Sequence, residues 1–501
     1  SQTDAEGNHI GYAYDIQGNL SELTYPNGQK LQYSYDKNGN VLSVTDWMNR
    51  KTSFSYDKNG RLIRTKRADG SIEVRGYDKA GQLIQIKDTA KDGKLITDLA
   101  YSYNENGNIA EIKDGMVKSG IKEQTTKMEY DASNRLIRSN GETVTYDADG
   151  NMLYGPLNGQ MASFTYDCRN RLIRTETENG EVTKYLYDAE NNRIGIIKNA
   201  GTEQERKTKY VVDCASGELT QILQSTTVNL KNAGQEEADK FAGVKTTTYL
   251  YAGNRLLAED GVEYLTYHFN NIGSTTAITD IEGNIKYSYA YSAYGELLKG
   301  NYGEVLFLYN GQYGVQSDDT GLYYMRARYY NVAIKRFINQ DTVTGSIENS
   351  QSLNRYAYVE GNPISYLDPF GLEKYDSEKI QRVMGYIQMA AQGVSIIFYL
   401  MGQKIIADVM SFIGEITSYT SIALYIFDAY YADNIEDQKR ALNNASWGIT
   451  CVITSKIMSC IGKTSSLSPG TLNEIEQPVM EISSKIVDAA YGLLCGVMGG
   501  Q

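Results

Sequence analysis

Proline is nearly missing from this sequence, at six residues in 501, and histidine and tryptophan stand at two each. So little proline beside 47 glycines argues against a proline-rich disordered linker and for many short strands joined by glycine turns. Cysteine is also sparse. The five residues Cys168, Cys214, Cys451, Cys460 and Cys495 are odd in number and lack metal-ligand spacing, which excludes a disulfide framework and leaves no metal or cofactor site to expect. Basic excess is absent as well. The net charge is -12, and the stretch after Leu372 has nine Lys/Arg against thirteen Asp/Glu, so no basic face for phosphate contacts is expected and no nucleic-acid partner is predicted. The chain opens at Ser1 in S-Q-T-D-A-E-G-N with no signal peptide, which we read as a fragment of a longer protein lacking its upstream targeting region.

Tyrosine is what the sequence has in excess, with 42 residues against ten phenylalanines. Its placement is periodic. Tyr14-Asp15, Tyr35-Asp36, Tyr56-Asp57 and Tyr77-Asp78 recur every 21 residues, and the pair returns less regularly at Tyr130, Tyr146, Tyr166 and Tyr187, in texts such as Y-D-K-N-G-R-L-I-R. Each unit reads as strand, tight turn, strand. L-Q-Y-S-Y and R-L-I-R-T alternate with the period of two of half-buried strands, while Asp and Asn-Gly supply the side-chain bonds and positive φ of a hairpin turn. Tyrosine suits such a sheet because its ring packs while its hydroxyl reaches water or a carbonyl. One hairpin is marginal alone, so the units must stack into a continuous sheet. His268, in Y-L-T-Y-H-F-N-N, reads as a structural residue of another strand.

The tandem Y-D-x-x-G-[NR]-L units resemble YD repeats, and the stretch from Tyr309 to Asp341, Y-N-G-Q-Y-G-V-Q-S-D-D-T-G-L-Y-Y-M-R-A-R-Y-Y-N-V-A-I-K-R-F-I-N-Q-D, is similar to the core signature of the Rhs polymorphic toxin family. The resemblance implies a mainly β fold in which a long YD-repeat sheet coils into a hollow shell around a C-terminal segment of the same chain. On this reading residues 1–308 form the shell, 309–372 the signature and junction, and 373–501 a small α-helical cargo.

At the junction, N-P-I-S-Y-L-D-P-F-G-L matches the family's P-x-x-x-x-D-P-x-G-L through Pro363, Asp368, Pro369, Gly371 and Leu372. What the resemblance implies is self-cleavage between Leu372 and Glu373, with Asp341 in R-F-I-N-Q-D as a second carboxylate beside Asp368. Two carboxylates suit amide hydrolysis, which needs one group to take a proton from water and another to give one to the carbonyl or the leaving amine. Close together they would share a proton. Thr342 stands where many relatives have proline. Without the chemistry, D-P-F-G is simply a turn.

Beyond Leu372 the repeats stop. Residues 383–403 contain no charge and 409–427 only Glu415, which makes both candidates for membrane spans, although a small soluble bundle would also use such runs. Residues 373–501 contain no histidine, so common His-dependent nuclease and hydrolase chemistry is excluded. The expectation is a secreted effector used between competing bacteria. Its cargo would insert in the target-cell membrane, and the resemblance adds a delivery apparatus and a cognate immunity protein as partners. An enzymatic cargo and a surface adhesin with a helical anchor are the alternatives.

Overall fold

A computed structural model describes residues 1–116, 125–214, 219–229, 244–342, 344–345, 349–372 and 374–376. The chain divides into Ser1–Lys379 and Ile380–Gln501. The apolar runs, Glu373, Cys451, Cys460 and Cys495 all lie outside the described residues, as does the helical cargo expected there. Among the described residues no helix is long and apolar enough to cross a membrane.

The first unit is antiparallel sheet. An 11-stranded sheet runs from Gln2 to Asp114 and a 13-stranded sheet from Thr145 to Ser288, each with strands neighbouring in chain order, as a train of hairpins dictates. The first three regular repeats use the same local chemistry, and the fourth keeps its bond from the Gln82 N–H to Asp78. At the first, Asp15 Oδ1 accepts the backbone N–H of Gln17 and of Asn19 at 2.9 Å each, Asp15 Oδ2 accepts the Asn19 amide at 2.9 Å, and Gly18 takes φ 85°. A one-residue slip in register falls immediately before the tyrosine, at Ala13/Tyr14, Ser34/Tyr35, Ser55/Tyr56 and Gly76/Tyr77. The bulge re-aims the tyrosine. Its hydroxyl then donates to a carbonyl of the preceding repeat, Tyr35 to Leu20 at 2.9 Å, Tyr56 to Val41 at 3.0 Å and Tyr77 to Leu62 at 2.9 Å. Where Arg replaces Asn in the turn, it stacks on the next repeat's tyrosine, as Arg61 does 4.6 Å from the Tyr77 ring centre.

The sheet returns on itself through contacts between residues 170 to 224 apart in sequence. Gln2 Nε2 donates to the Val212 carbonyl at 2.9 Å, Arg50 pairs with Asp260 at 2.6 Å, and Thr279 donates to Asp69 at 2.6 Å, each across 210 residues. Other contacts of the same return fall at other separations, 224 residues for Tyr25 and the Tyr249 carbonyl and 179 for Thr97 and Thr276, because the repeats after Tyr77 are uneven in length.

The signature does not continue the long sheets. It forms a four-stranded sheet between Gln316 and Phe337 and packs an aromatic knot of Tyr309, Tyr323, Tyr330, Phe337 and Tyr358, none more than 1% exposed. Ring centres lie 4.5 Å apart for Tyr330 and Tyr358 and 5.5 Å for Tyr309 and Tyr323. Arg193, reaching in from the repeat strand Arg193–Lys198, is clamped by Asp318 at 2.9 and 3.0 Å and lies 4.6 Å from the Tyr324 ring centre. These contacts tie the signature to the coiled sheet.

Candidate active site

The junction is the loop of a hairpin. Strand Tyr366–Leu367 pairs antiparallel with Tyr375–Asp376, and Asp368 to Leu372 and Lys374 lie in the connection. Pro363, in the turn before the first of these strands, and Pro369, inside the loop, are both buried. Gly371 needs to be glycine on two counts. Its φ is +71°, and a Cβ there would sit 2.5 Å from the Met325 carbonyl oxygen.

A second, tighter hairpin presses against this loop. Strands Leu322–Met325 and Arg328–Asn331 are joined by Arg326 and Ala327 alone. Arg326 donates to the carbonyls of Pro369 at 2.6 Å, Thr220 at 2.9 Å and Tyr313 at 3.0 Å, and the Ala327 N–H donates to the Phe370 carbonyl at 3.1 Å. Burial pushes the Arg326 guanidinium down to about 10. Arg328 carries the centre of the site. Its Nη2 stands 2.7 Å from Asp341 Oδ2 and 3.5 Å from Asp368 Oδ2, its Nε donates to the Gly371 carbonyl, and its Nη1 donates to the Arg355 carbonyl at 3.1 Å. The Phe337 ring closes over the guanidinium, 3.6 Å to its centre.

Asp341 and Asp368 therefore come together, 27 residues apart in sequence, on one arginine. They are 8% and 2% exposed. Asp341 is pinned from its backbone, its N–H donating to the Arg355 carbonyl at 3.0 Å and its own carbonyl accepting Arg355 Nε at 2.8 Å. Asp368 Oδ1 accepts the backbone N–H of Leu372 at 3.0 Å. Burial drives the Asp368 carboxyl up to about 7; the charge of Asp341 adds to this, while Arg328 and the N–H groups of Leu372 and Gly371 oppose it. Arg328 gives Asp341 the shorter pair, leaving Asp368 the less compensated of the two. Burial also lowers the Arg328 guanidinium, against the pull of both carboxylates.

Sequence reasoning named both aspartates and overlooked Arg328 and Arg326. The signal was in the signature's R-A-R, since two carboxylates buried together call for a fixed cation. Among the described residues no group of His, Cys, Asp and Glu is arranged to hold a metal ion. His268 is fully buried, its Nε2 2.9 Å from Thr279 Oγ1 and its Nδ1 3.2 Å from Asp88 Oδ2 without hydrogen-bond alignment.

A family model described as the teneurin YD-shell matches residues 2–77 and 71–364. The chain is similar to the tRNA3(Ser)-specific nuclease WapA of Bacillus spizizenii, 30% identical over 294 residues, which is 57% of this chain and 11% of that protein. It is similar to the double-stranded DNA deaminase toxin A of Burkholderia cenocepacia, 24% identical over 283 residues, 55% of this chain and 17% of that one. It also resembles the solved TcdB2-TccC3-TEV structure in fold, with a TM-score of 0.53 at 19% identity, over 72% of this chain and 21% of that one. The chain thus spans between about a tenth and a fifth of the length of these proteins. Two of them are named for nucleic-acid substrates, which weighs against the expectation of no nucleic-acid partner.

Proposed function

This chain belongs to the teneurin YD-shell family, the YD-repeat class to which Rhs toxins belong, and from that premise we propose that it is a toxin carrier that cuts its own chain between Leu372 and Glu373 to free residues 373–501. The observation that carries this reading is the buried Asp341–Arg328–Asp368 cluster beside the matched junction, with Asp368 bonded to the residue whose carbonyl would be attacked. In the proposed reaction Asp341, paired with Arg328, takes a proton from water. The resulting hydroxide attacks the Leu372 carbonyl carbon, and Asp368, poised near neutrality, gives its proton to the departing nitrogen of Glu373. The C–N bond breaks to leave a carboxylate on Leu372 and an amine on Glu373. Arg328, bonded to the neighbouring Gly371 carbonyl, holds the loop in register.

The three-part division at 308/309 and 372/373 follows from this reading. The cargo is proposed to act on the target-cell membrane, supported by the charge-free run 383–403 and the near charge-free run 409–427. Secretion through a delivery apparatus and neutralisation by an immunity protein in the producer complete the proposal. A second reading, an enzymatic cargo acting on nucleic acid, is favoured by the names of the relatives. It must then work without histidine.

Intact mass of the full chain is expected to give a fragment beginning at Glu373, absent from Asp341→Asn and Asp368→Asn. A wild-type chain that stays whole for days would sink the self-cleavage. Inducible expression of residues 373–501 with a membrane-potential dye separates the cargo readings. Loss of potential supports the membrane; growth arrest with potential intact supports the enzyme.

A further inference from the structure

Three described residues follow the junction, Lys374 to Asp376, and each is tethered. Lys374 Nζ pairs with the Glu360 carboxylate and lies 5.2 Å from the Tyr366 ring centre. Tyr375 stands opposite Leu367 with its ring 5.6 Å from that of Phe370, and Asp376 stands opposite Tyr366. Strand pairing and ring contact would hold almost any sequence of this type. The ion pair is particular to the residue at 360.

Glu360 is presented by an unusual turn. Val359, Glu360 and Gly361 take φ of +42°, +52° and +83° in succession, and a β-branched residue in that region is rare. Backbone held in such a region has to be imposed by its surroundings, and where it persists it tends to mark function. Here Val359 is buried in the core, so the turn cannot relax without exposing it. The Asn349 amide donates to Glu360 Oε1 at 3.0 Å, fixing the carboxylate from its other side. The two charged side chains are partly covered, 18% exposed for Glu360 and 34% for Lys374.

We propose that Glu360 is a positioning residue for self-cleavage: by holding Lys374, the second residue on the leaving side, it keeps the scissile peptide seated against Asp341 and Asp368. The inference rests on the self-cleavage reading above. Asp368 and Arg328 restrain the loop at Leu372 and Gly371, on the acyl side only. On the leaving side the strand pairing of Tyr375 and Asp376 holds the chain further on, and a misplacement of about 1 Å between these restraints can cost on the order of a hundredfold in rate. The Glu360–Lys374 pair supplies the leaving-side anchor nearest the scissile bond.

The test is the rate of appearance of the two fragments in the freshly synthesised full chain. Glu360→Gly is the informative variant, because glycine accepts φ +52° without strain and should melt no lower than wild type while losing the carboxylate. It is expected to slow the cut roughly ten- to a hundredfold. Lys374→Gln should slow it similarly, and the two changes together should cost no more than either alone. Exchange of the charges, Glu360→Lys with Lys374→Glu, should recover most of the rate lost by Glu360→Lys. Wild-type kinetics in Glu360→Gly, fully additive losses, or no recovery on exchange would each overturn the proposal while leaving self-cleavage standing. A wild-type chain that never cuts removes both.

Discussion

Asp368 sets the pH behaviour expected of the junction. Its carboxyl titrates at about 7 because it is buried beside Asp341 with Arg328 turned mainly to the other partner. If it donates the proton, the rate of self-cleavage is high below pH 7 and falls about tenfold per unit above it, which a time course at pH 6, 7, 8 and 9 measures. A pH-independent rate would remove Asp368 from the acid role. The stability effect has the same direction: a carboxyl whose folded pKa is raised contributes stability that is complete below its unfolded pKa near 4 and is lost as pH rises through about 7. Asp368→Asn should lack that slope in thermal melts. Arg328→Lys keeps the charge but cannot reach both carboxylates and two carbonyls with one planar fork. Cleavage in that variant should fall at least tenfold, read from the ratio of whole to cut chain.

At the scale of the element, the hairpin turn and the tyrosine after the bulge do separate jobs. The Asp turn is local and closes each hairpin, whereas the tyrosine hydroxyl ties a hairpin to the one before it. Tyr56→Phe leaves the Val41 carbonyl without that donor and should cost about 1 kcal/mol in denaturant unfolding, with little change in the far-UV spectrum. Asp57→Ala removes three turn bonds at once and should cost more. The junction loop obeys a stricter rule because it is squeezed between hairpins. Gly371→Ala would drive a methyl group into the Met325 carbonyl, so cleavage should drop sharply even though the catalytic groups are untouched. The same melting temperature with full cleavage would show that the loop has room after all.

For the first unit taken whole, the return of the sheet on itself sets which distant charges meet. The buried seam between the two large sheets joins Arg67 to Asp88 at 2.5 Å and to Glu73 at 2.6 Å, with His268 beside Asp88. Burial alone would raise the Asp88 carboxyl, but the charges of Arg67 and His268 outweigh it and hold the group well below the usual carboxylate range. A lowered folded pKa contributes stability that is present above the unfolded value near 4 and is lost as pH falls through the folded one. Melting temperature should therefore fall steeply below about pH 4, and Asp88→Asn should lower it at neutral pH while blunting the acid fall. Deleting one whole 21-residue repeat between Arg50 and Asp260 would keep every remaining turn intact yet move Arg50 off Asp260, so such a variant should fold its hairpins and lose the cooperative transition.

Much of this is legible in the amino-acid sequence alone, for a physical reason. Turn chemistry, pleat alternation and the repeat length act between residues close in sequence, so the hairpins, their order and the D-P-F-G loop can be read from Tyr14, Asp15, Gly18 and their successors. The pairing of Asp341 with Asp368 came from a matched motif, not from residue patterning. Arg328 between them, Arg326 across the loop and Glu360 beneath Lys374 were decided by tertiary structure alone, because each acts through contacts that only the folded signature brings within reach. The return of the sheet on itself belongs there too: the hairpin repeat is a property of the text, but where the sheet meets itself depends on how far each twisted hairpin rotates the next.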